Sequence, residues 1–265
     1  MKRVLVAGGD GNLGSSIVKA LQTQGQLGRV MSRKPEPESF GESVDWAQAD
    51  IVTGDGVKTA LQNVHTIVNC ISSPVQNTYE TDILATQRFL AMAKEVGVKH
   101  VLHISIIGID RIMLPYYQYK LGAELVVIES GLPYTIARIA QFHSFVDYLL
   151  SPLRDVDTDV VKIPINVKFQ SIHTSEVAHH LAPYIINGEA MGRLPDFGGP
   201  EILRLEDMVQ AWLDAQKLTK KIEPATELEN DLPVLNRFGV EGYNTNPNNL
   251  IHGMTWDDYL RQTYG

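Results

Sequence analysis

An α/β fold on a doubly wound parallel sheet is predicted by two features of the chain. The first is alternation. Strand-like runs at Val4–Ala7, Arg29–Met31, Thr66–Cys70, His100–Ile104 and Tyr134–Arg138 are separated by helical patterns, and Val44–Ala47 reads as a shorter strand among them. Strands that alternate with helices form a parallel sheet covered on both faces. The second is the stretch Val-Leu-Val-Ala-Gly-Gly-Asp-Gly-Asn-Leu-Gly over residues 4–14, where an apolar run breaks into Gly8, Gly11 and Gly14, each three residues on. At a turn from a first strand into a helix, such spacing marks a phosphate site of the Rossmann type.

The elements follow in order. Leu13, Ile17, Val18 and Leu21 recur at helical spacing after the glycines, so the first helix runs over Leu13–Gln24. Gly8 permits the tight turn, Gly11 removes a side chain from the phosphate path, and Gly14 lets the helix pack closely. Asn12 and Leu13 lie at the helix start, whose N–H groups and partial positive charge suit an anion. Further helices are predicted over Tyr79–Val96 and Tyr116–Ser130, and, like the first, each ends near a glycine: Gly25, Gly97 and Gly131. After about Leu150 the rhythm changes, with Pro152, Pro164, Pro195, Pro200, Pro224, Pro233 and Pro247 interrupting shorter segments. The expected organisation is a dinucleotide-binding domain over 1–150 and a small substrate-side lobe over 151–265. A helix at Thr174–Asn187 is expected to return to the main layer, within a return segment near 171–199.

The 265 residues suffice for such an arrangement, and 44% hydrophobic with 20% charged residues is ordinary for a water-soluble globular protein. No apolar run approaches the ~20 residues that span a bilayer. A first strand that begins after Lys2 and Arg3 leaves no room for a signal peptide, so a cytoplasmic protein without a membrane partner is expected. The single cysteine, Cys70, agrees with a reducing compartment and reads as a core filler. A net charge of −8 argues against nucleic acid as a partner. The eight histidines show no metal-ligand spacing: His100 and His103 face opposite sides of a strand, and His179 and His180 diverge on a helix. Oligomeric state is not written in the pattern.

The chemistry concentrates at His103-Ile104-Ser105 and at Pro115-Tyr116-Tyr117-Gln118-Tyr119-Lys120. Strand C-termini face the ligand crevice in a doubly wound sheet, which puts Ser105 beside a small-molecule substrate. Pro115 suits the first position of a helix, so Tyr116 and Lys120 share a face at i and i+4. A lysine there brings the tyrosine pKa, about 10 when unperturbed, closer to working pH. Tyr116 then donates a proton, Ser105 orients a carbonyl oxygen, and Lys120 also reaches ribose hydroxyls, while hydride comes from a nicotinamide. A Tyr-x-x-x-Lys in isolation is more often an aromatic cluster beside a solvated lysine; the glycine turn and strand-end serine tip the reading to chemistry.

Together these stretches resemble the short-chain dehydrogenase/reductase superfamily, in particular its atypical NmrA-like members that bind NAD(P)H. The resemblance rests on residues 8–14, on Ile104-Ser105-Ile106-Ile107-Gly108-Ile109-Asp110, on residues 115–124, and on Ser130-Gly131-Leu132-Pro133-Tyr134-Thr135-Ile136-Ala137-Arg138. Gln141-Phe142-His143 and Gly198-Gly199-Pro200-Glu201 extend it. It implies an N-terminal Rossmann domain with a C-terminal substrate lobe and gives the serine, tyrosine and lysine roles to Ser105, Tyr116 and Lys120. Asp10 departs from the pattern, standing where relatives often carry a neutral residue; an acid there opposes phosphate unless it points away. NmrA-like relatives also include proteins that sense the dinucleotide without turnover, which is the alternative to an NADP(H)-dependent reductase of a small carbonyl, quinone or conjugated compound.

Ser32, Arg33 and Lys34 follow the second strand, where a site selecting NAD(H) would carry Asp or Glu for the ribose 2′-hydroxyl. Ser32 and Arg33 fit a 2′-phosphate instead and favour NADP(H); a solvated basic loop is the plainer alternative. By the resemblance Asp50 accepts a hydrogen bond from the adenine amino group, or else it is a surface cap. Phe142 and His143, with Phe145 and Tyr148, form an aromatic group after the last main strand, as substrate wall or as core.

Overall fold

The computed structural model describes residues 2–26, 28–37, 44–73, 76–164, 166–225, 231–232, 235 and 244–265. Pro233, one of the prolines read as punctuation, lies outside them. A seven-stranded sheet has the order β3-β2-β1-β4-β5-β6-β9. Its strands are β1 (Arg3–Ala7), β2 (Gly28–Ser32), β3 (Asp45–Gln48), β4 (Val64–Asn69), β5 (His100–Ile106), β6 (Tyr134–Ile139) and β9 (Gly192–Arg193). β1 pairs in parallel with β2 and β4, with Val6 opposite Val30 and Val68. The chain moves outward from β1 through β2 to β3 and then returns to the other side of β1 at β4. That reversal is the topological switch point, where the crevice beyond the strand ends receives ligands.

Helices α1 (Asn12–Thr23), α2 (Val57–Ala60), α3 (Thr86–Glu95) and α4 (Pro115–Glu129) belong to the same unit. α1 buries Leu13, Ile17, Val18 and Leu21 along one stripe, as its spacing predicts. The long helix expected over Tyr79–Val96 is two pieces, a π-helical segment at Tyr79–Ala85 and then α3. Gly122 of α4 accommodates the first piece, because a Cβ there would stand 2.5 Å from the Ile83 Cδ1. Leu5, Ile67, Phe89, Val101 and Ile136 are fully or almost fully buried in a core cluster of sheet and helix residues. Inside this unit Glu124 accepts two hydrogen bonds of 2.8 Å from the Arg138 guanidinium, a buried bidentate pair.

The chain divides into two compact units, one of Met1–Ser105, Pro115–Arg138 and Val177–Pro195 and one of Ile106–Leu114, Ile139–Glu176 and Asp196–Gly265. Residues 106–114 and 139–150 fall in the second unit because the backbone leaves the sheet at the ends of β5 and β6 as well as later. α6 (Thr174–Asn187) has the predicted bounds and its larger part lies in the first unit. The second unit holds α5 (His143–Leu150), the parallel pair β7 (Val160–Pro164) and β11 (Lys221–Ala225), and the antiparallel pair β8 (Lys168–Phe169) and β10 (Leu203–Arg204). α7 (Leu205–Ala215) and α8 (Trp256–Tyr264) complete it. Asp147 of α5 accepts hydrogen bonds from Trp212 Nε1 at 2.6 Å, Tyr259 Oη at 2.9 Å and Tyr264 Oη at 2.7 Å, tying α7 and α8 to α5. Among the described residues no helix is long and apolar enough to cross a membrane.

Candidate active site

The glycine turn is built by close backbone approach. Gly8 has φ +75°, in the left-handed region, and a Cβ there would lie 3.3 Å from the Cys70 carbonyl carbon. Gly14 is packed more tightly: a Cβ would stand 2.2 Å from the Gly8 oxygen. The missing side chain thus makes room for the turn's own carbonyl, a narrower role than helix-to-strand packing. Gly11 is exposed in extended backbone and precedes α1 with no side-chain cap, and no acidic residue occupies the first helical turn. An α-helix start without a side-chain cap or an acid in its first turn fits the phosphates of a dinucleotide. Asn12 opens the helix, and its carbonyl accepts the Ser15 and Ser16 hydroxyls; the Leu13 side chain is buried.

A cleft of about 590 Å³ lies over this turn, lined by Gly8, Gly11, Ser32, Arg33, Asp50 and Ser72 among others, all in the first unit. Arg33 is exposed there. The Ser32 hydroxyl accepts the Lys34 N–H at 3.1 Å, and Lys34 Nζ stands 2.9 Å from Asp10 Oδ2. Asp50 Oδ1 accepts the Val52 N–H at 2.7 Å, so the carboxylate shapes its own turn while lining the cleft.

Tyr116 and Lys120 sit on α4 as the sequence predicts, and two further residues join them. Tyr116 Oη is 2.9 Å from Ser72 Oγ, Ser72 donates to Asp82 Oδ1 at 2.8 Å, and Asp82 Oδ2 accepts the Ser73 N–H at 3.0 Å. Lys120 Nζ donates to the Ile104 carbonyl at 3.2 Å and stands 3.6 Å from Asp82 Oδ1. The ion pair is fully interior, with side chains 4% and 1% exposed. The electrostatics correct one expectation. Rather than being brought toward working pH by Lys120, the Tyr116 phenol is pushed up to about 12, by burial first and also by the Asp82 carboxylate. Lys120 is itself lowered by burial, which Asp82 opposes.

Ser105 is buried, and its Oγ has no hydrogen-bond partner among the described residues. It is therefore not hydrogen-bonded to Tyr116. Two strands away from β2, Asn69 Nδ2 lies 3.2 Å from His103 Nδ1; an amide N–H donates there, which leaves the ring proton on His103 Nε2. Burial lowers the His103 pKa well below the ordinary value and pushes the Cys70 thiol up to about 12, so neither is charged at neutral pH. Cys70 is no nucleophile in this state. Phe142 and His143 lie in the second unit. His143 Nε2 donates to the Met254 carbonyl at 3.0 Å and Nδ1 accepts from Ser171 Oγ at 2.8 Å. Both ring nitrogens thus have partners inside the second unit, where the ring lies beside Trp256 and Tyr259. Phe142 precedes α5 and bridges Ile172 through backbone.

The sequence reading gave no role to Ser72 or Asp82. A signal for Asp82 was present: it stands on the stripe that continues through Thr86, Phe89 and Ala93, all buried, and an acid on such a stripe needs a partner. Ser72 carried no comparable signal, being one hydroxyl in a loop.

A strand, a glycine turn and an uncapped helix at the switch point of a parallel sheet define a Rossmann-type nucleotide-binding protein. The chain belongs to the NAD(P)H-binding family whose model matches residues 8–181. It is similar to a photosystem II assembly factor of Trieres chinensis, 24% identical over 149 residues, or 53% of this chain and 46% of that one. The chain spans about half the length of the curated relatives it matches, 46% and 49%. Among solved structures, an NADPH-dependent quinone oxidoreductase of Escherichia coli complexed with NADPH has a TM-score of 0.82 at 17% identity, covering 99% of this chain and 100% of that one. A nucleoside-diphosphate-sugar epimerase of Staphylococcus aureus has a TM-score of 0.80 at 18% identity, over 98% and 100%. At such identities the likeness is one of fold.

Proposed function

We propose that the protein is an NADP(H)-dependent reductase of a small carbonyl, quinone or conjugated compound, with Tyr116 as proton donor. The observation that carries this reading is the hydrogen-bonded series Tyr116, Ser72, Asp82 with Lys120 on the same carboxylate. A phenol raised to about 12 is protonated at neutral pH, and as an acid it is weaker than an unperturbed tyrosine. The Ser105 hydroxyl, without a partner among the described residues, orients a substrate oxygen in this reading. Lys120, which donates to the Ile104 carbonyl and pairs with Asp82, also reaches ribose hydroxyls. Gly8, Gly11 and Gly14 let the pyrophosphate approach the backbone at the helix start of Asn12 and Leu13, while the Gly8 and Gly11 N–H groups bond to the Met31 and Gly8 carbonyls; Asp50 takes the adenine, and Ser32 with Arg33 a 2′-phosphate. The bound dinucleotide supplies hydride, which no side chain can.

NADPH oxidation by the purified protein, followed against a panel of aldehydes, ketones, quinones and enones, tests the reading. Turnover of any class supports it, and saturable NADPH binding without turnover of any of them overturns it. One observation favours the second reading, a dinucleotide-responsive regulatory protein. The Tyr116 proton is engaged by Ser72, and Lys120 is neutralised by Asp82, so neither group is poised without a ligand.

A further inference from the structure

Asp10 is the acid that the glycine turn does not need, and the structure gives it partners. Its carboxylate takes a hydrogen bond from the Ser32 hydroxyl and from Lys34 Nζ, the latter at 2.9 Å. Ser32 and Lys34 flank Arg33 at the end of β2, and all three line the cleft with Asp10. The single proton of the Ser32 hydroxyl is committed to Asp10 in this arrangement, while its oxygen accepts the Lys34 N–H. Arg33 and Gly11 are exposed beside it.

We propose that Asp10 is a specificity-determining residue that occupies the 2′-phosphate position of the cofactor cleft from within, holding Ser32 and Lys34 and restraining the preference for NADPH over NADH. The proposal rests on the dinucleotide reading above. A 2′-phosphate needs hydrogen-bond donors and cations, and two of the three groups able to serve it already serve a carboxylate. The carboxylate is also an anion that repels the phosphate directly. The latch is displaceable, because the Lys34 side chain is 77% exposed and water screens its attraction to Asp10. Arg33 remains the one of the three that does not hold Asp10, so NADPH still binds, through Arg33, and less tightly than the donor set permits.

The test is equilibrium binding by intrinsic fluorescence or calorimetry, at one fixed salt concentration, of NADPH, NADH and adenosine 2′,5′-bisphosphate. Asp10→Asn keeps the shape and removes the charge. The expected result is a gain of roughly three- to tenfold for NADPH and for the bisphosphate, with NADH changed less than twofold. Lys34→Ala placed on top of Asp10→Asn should cancel most of the gain. An equal gain for NADH and NADPH overturns the proposal, since Asp10 then acts on the pyrophosphate common to both. Unchanged binding of all three also overturns it. A native protein that binds neither dinucleotide overturns the functional reading itself and is told apart by that control. Thermal melting of each variant separates misfolding from altered recognition.

Discussion

The Tyr116 phenol lies 2.9 Å from the Ser72 hydroxyl, and hydrogen-bond arithmetic fixes which one donates. Ser72 has a single proton and gives it to Asp82 at 2.8 Å, so Tyr116 is the donor and Ser72 the acceptor. The candidate site therefore ends in a buried carboxylate whose other neighbour is Lys120. The stability of that charge pair gives the first prediction.

Asp82→Ala leaves the Lys120 ammonium in the interior without its counter-ion. Breaking a buried pair from one side costs about 3 to 5 kcal/mol. Urea unfolding at pH 7 should show that loss, and adding Lys120→Met should recover a large part of it because no charge is then stranded. A loss below about 1 kcal/mol in the single variant would mean that Lys120 is neutral or solvated.

Much of this molecule was legible beforehand, for a physical reason that also marks the boundary of legibility. β1, the glycine turn and α1 are local: Val4 to Leu21 write their own periods and their own break. α6 was found with its bounds because its apolar spacing is uninterrupted, Pro183 notwithstanding. The π-helical segment at Tyr79–Ala85 was not foreseen, since π and α turns bury nearly the same stripe over so few residues. Ser72 and Asp82 acquire meaning only when β4 and α4 bring them to Tyr116, 44 residues from Ser72 in sequence. At His143 the pattern leaves two readings open, because an aromatic run after a strand looks the same whether it lines a pocket or packs as His143 does beside Trp256.

The glycines divide by role. Gly14→Ala forces a Cβ to within 2.2 Å of the Gly8 oxygen, so the turn must shift and stability should fall by about 1 to 3 kcal/mol along with dinucleotide binding. Gly11→Val, whose Cβ would stand 3.2 Å from the Gly8 oxygen, should cost less stability than Gly14→Ala and lose NADPH and NADH alike. Calorimetric melting beside binding titrations checks both, and a normally stable Gly14→Ala would contradict the packing described.

Arg33→Glu places an anion beside the ribose position and should narrow or reverse the preference for NADPH. Titration of both cofactors at constant ionic strength decides it. Equal affinities in the native protein would remove the basis for Arg33 as the phosphate ligand.

His143 and His100 are each held at about 4 by burial, below the ordinary 6.5. The unfolded chain therefore binds more protons between pH 6.5 and 4, and stability is complete above the unfolded pKa and falls through that window as pH drops. The slope contributed is about 1.4 kcal/mol per pH unit for each histidine within the window. Unfolding curves at pH 7, 6 and 5 should show the decline, and His143→Gln should flatten it by one histidine's share. A pH-independent stability across the window would mean that the rings are hydrated.

Reduction by a Tyr116→Phe variant tests the central claim most directly. The substitution removes one hydroxyl and keeps the ring, so the fold and NADPH affinity should persist while turnover of a carbonyl that the native protein reduces falls by about 10²-fold or more, the scale for losing a positioned acid. Full carbonyl turnover in the variant, with NADPH bound as tightly as in the native protein, would contradict Tyr116 as the proton donor.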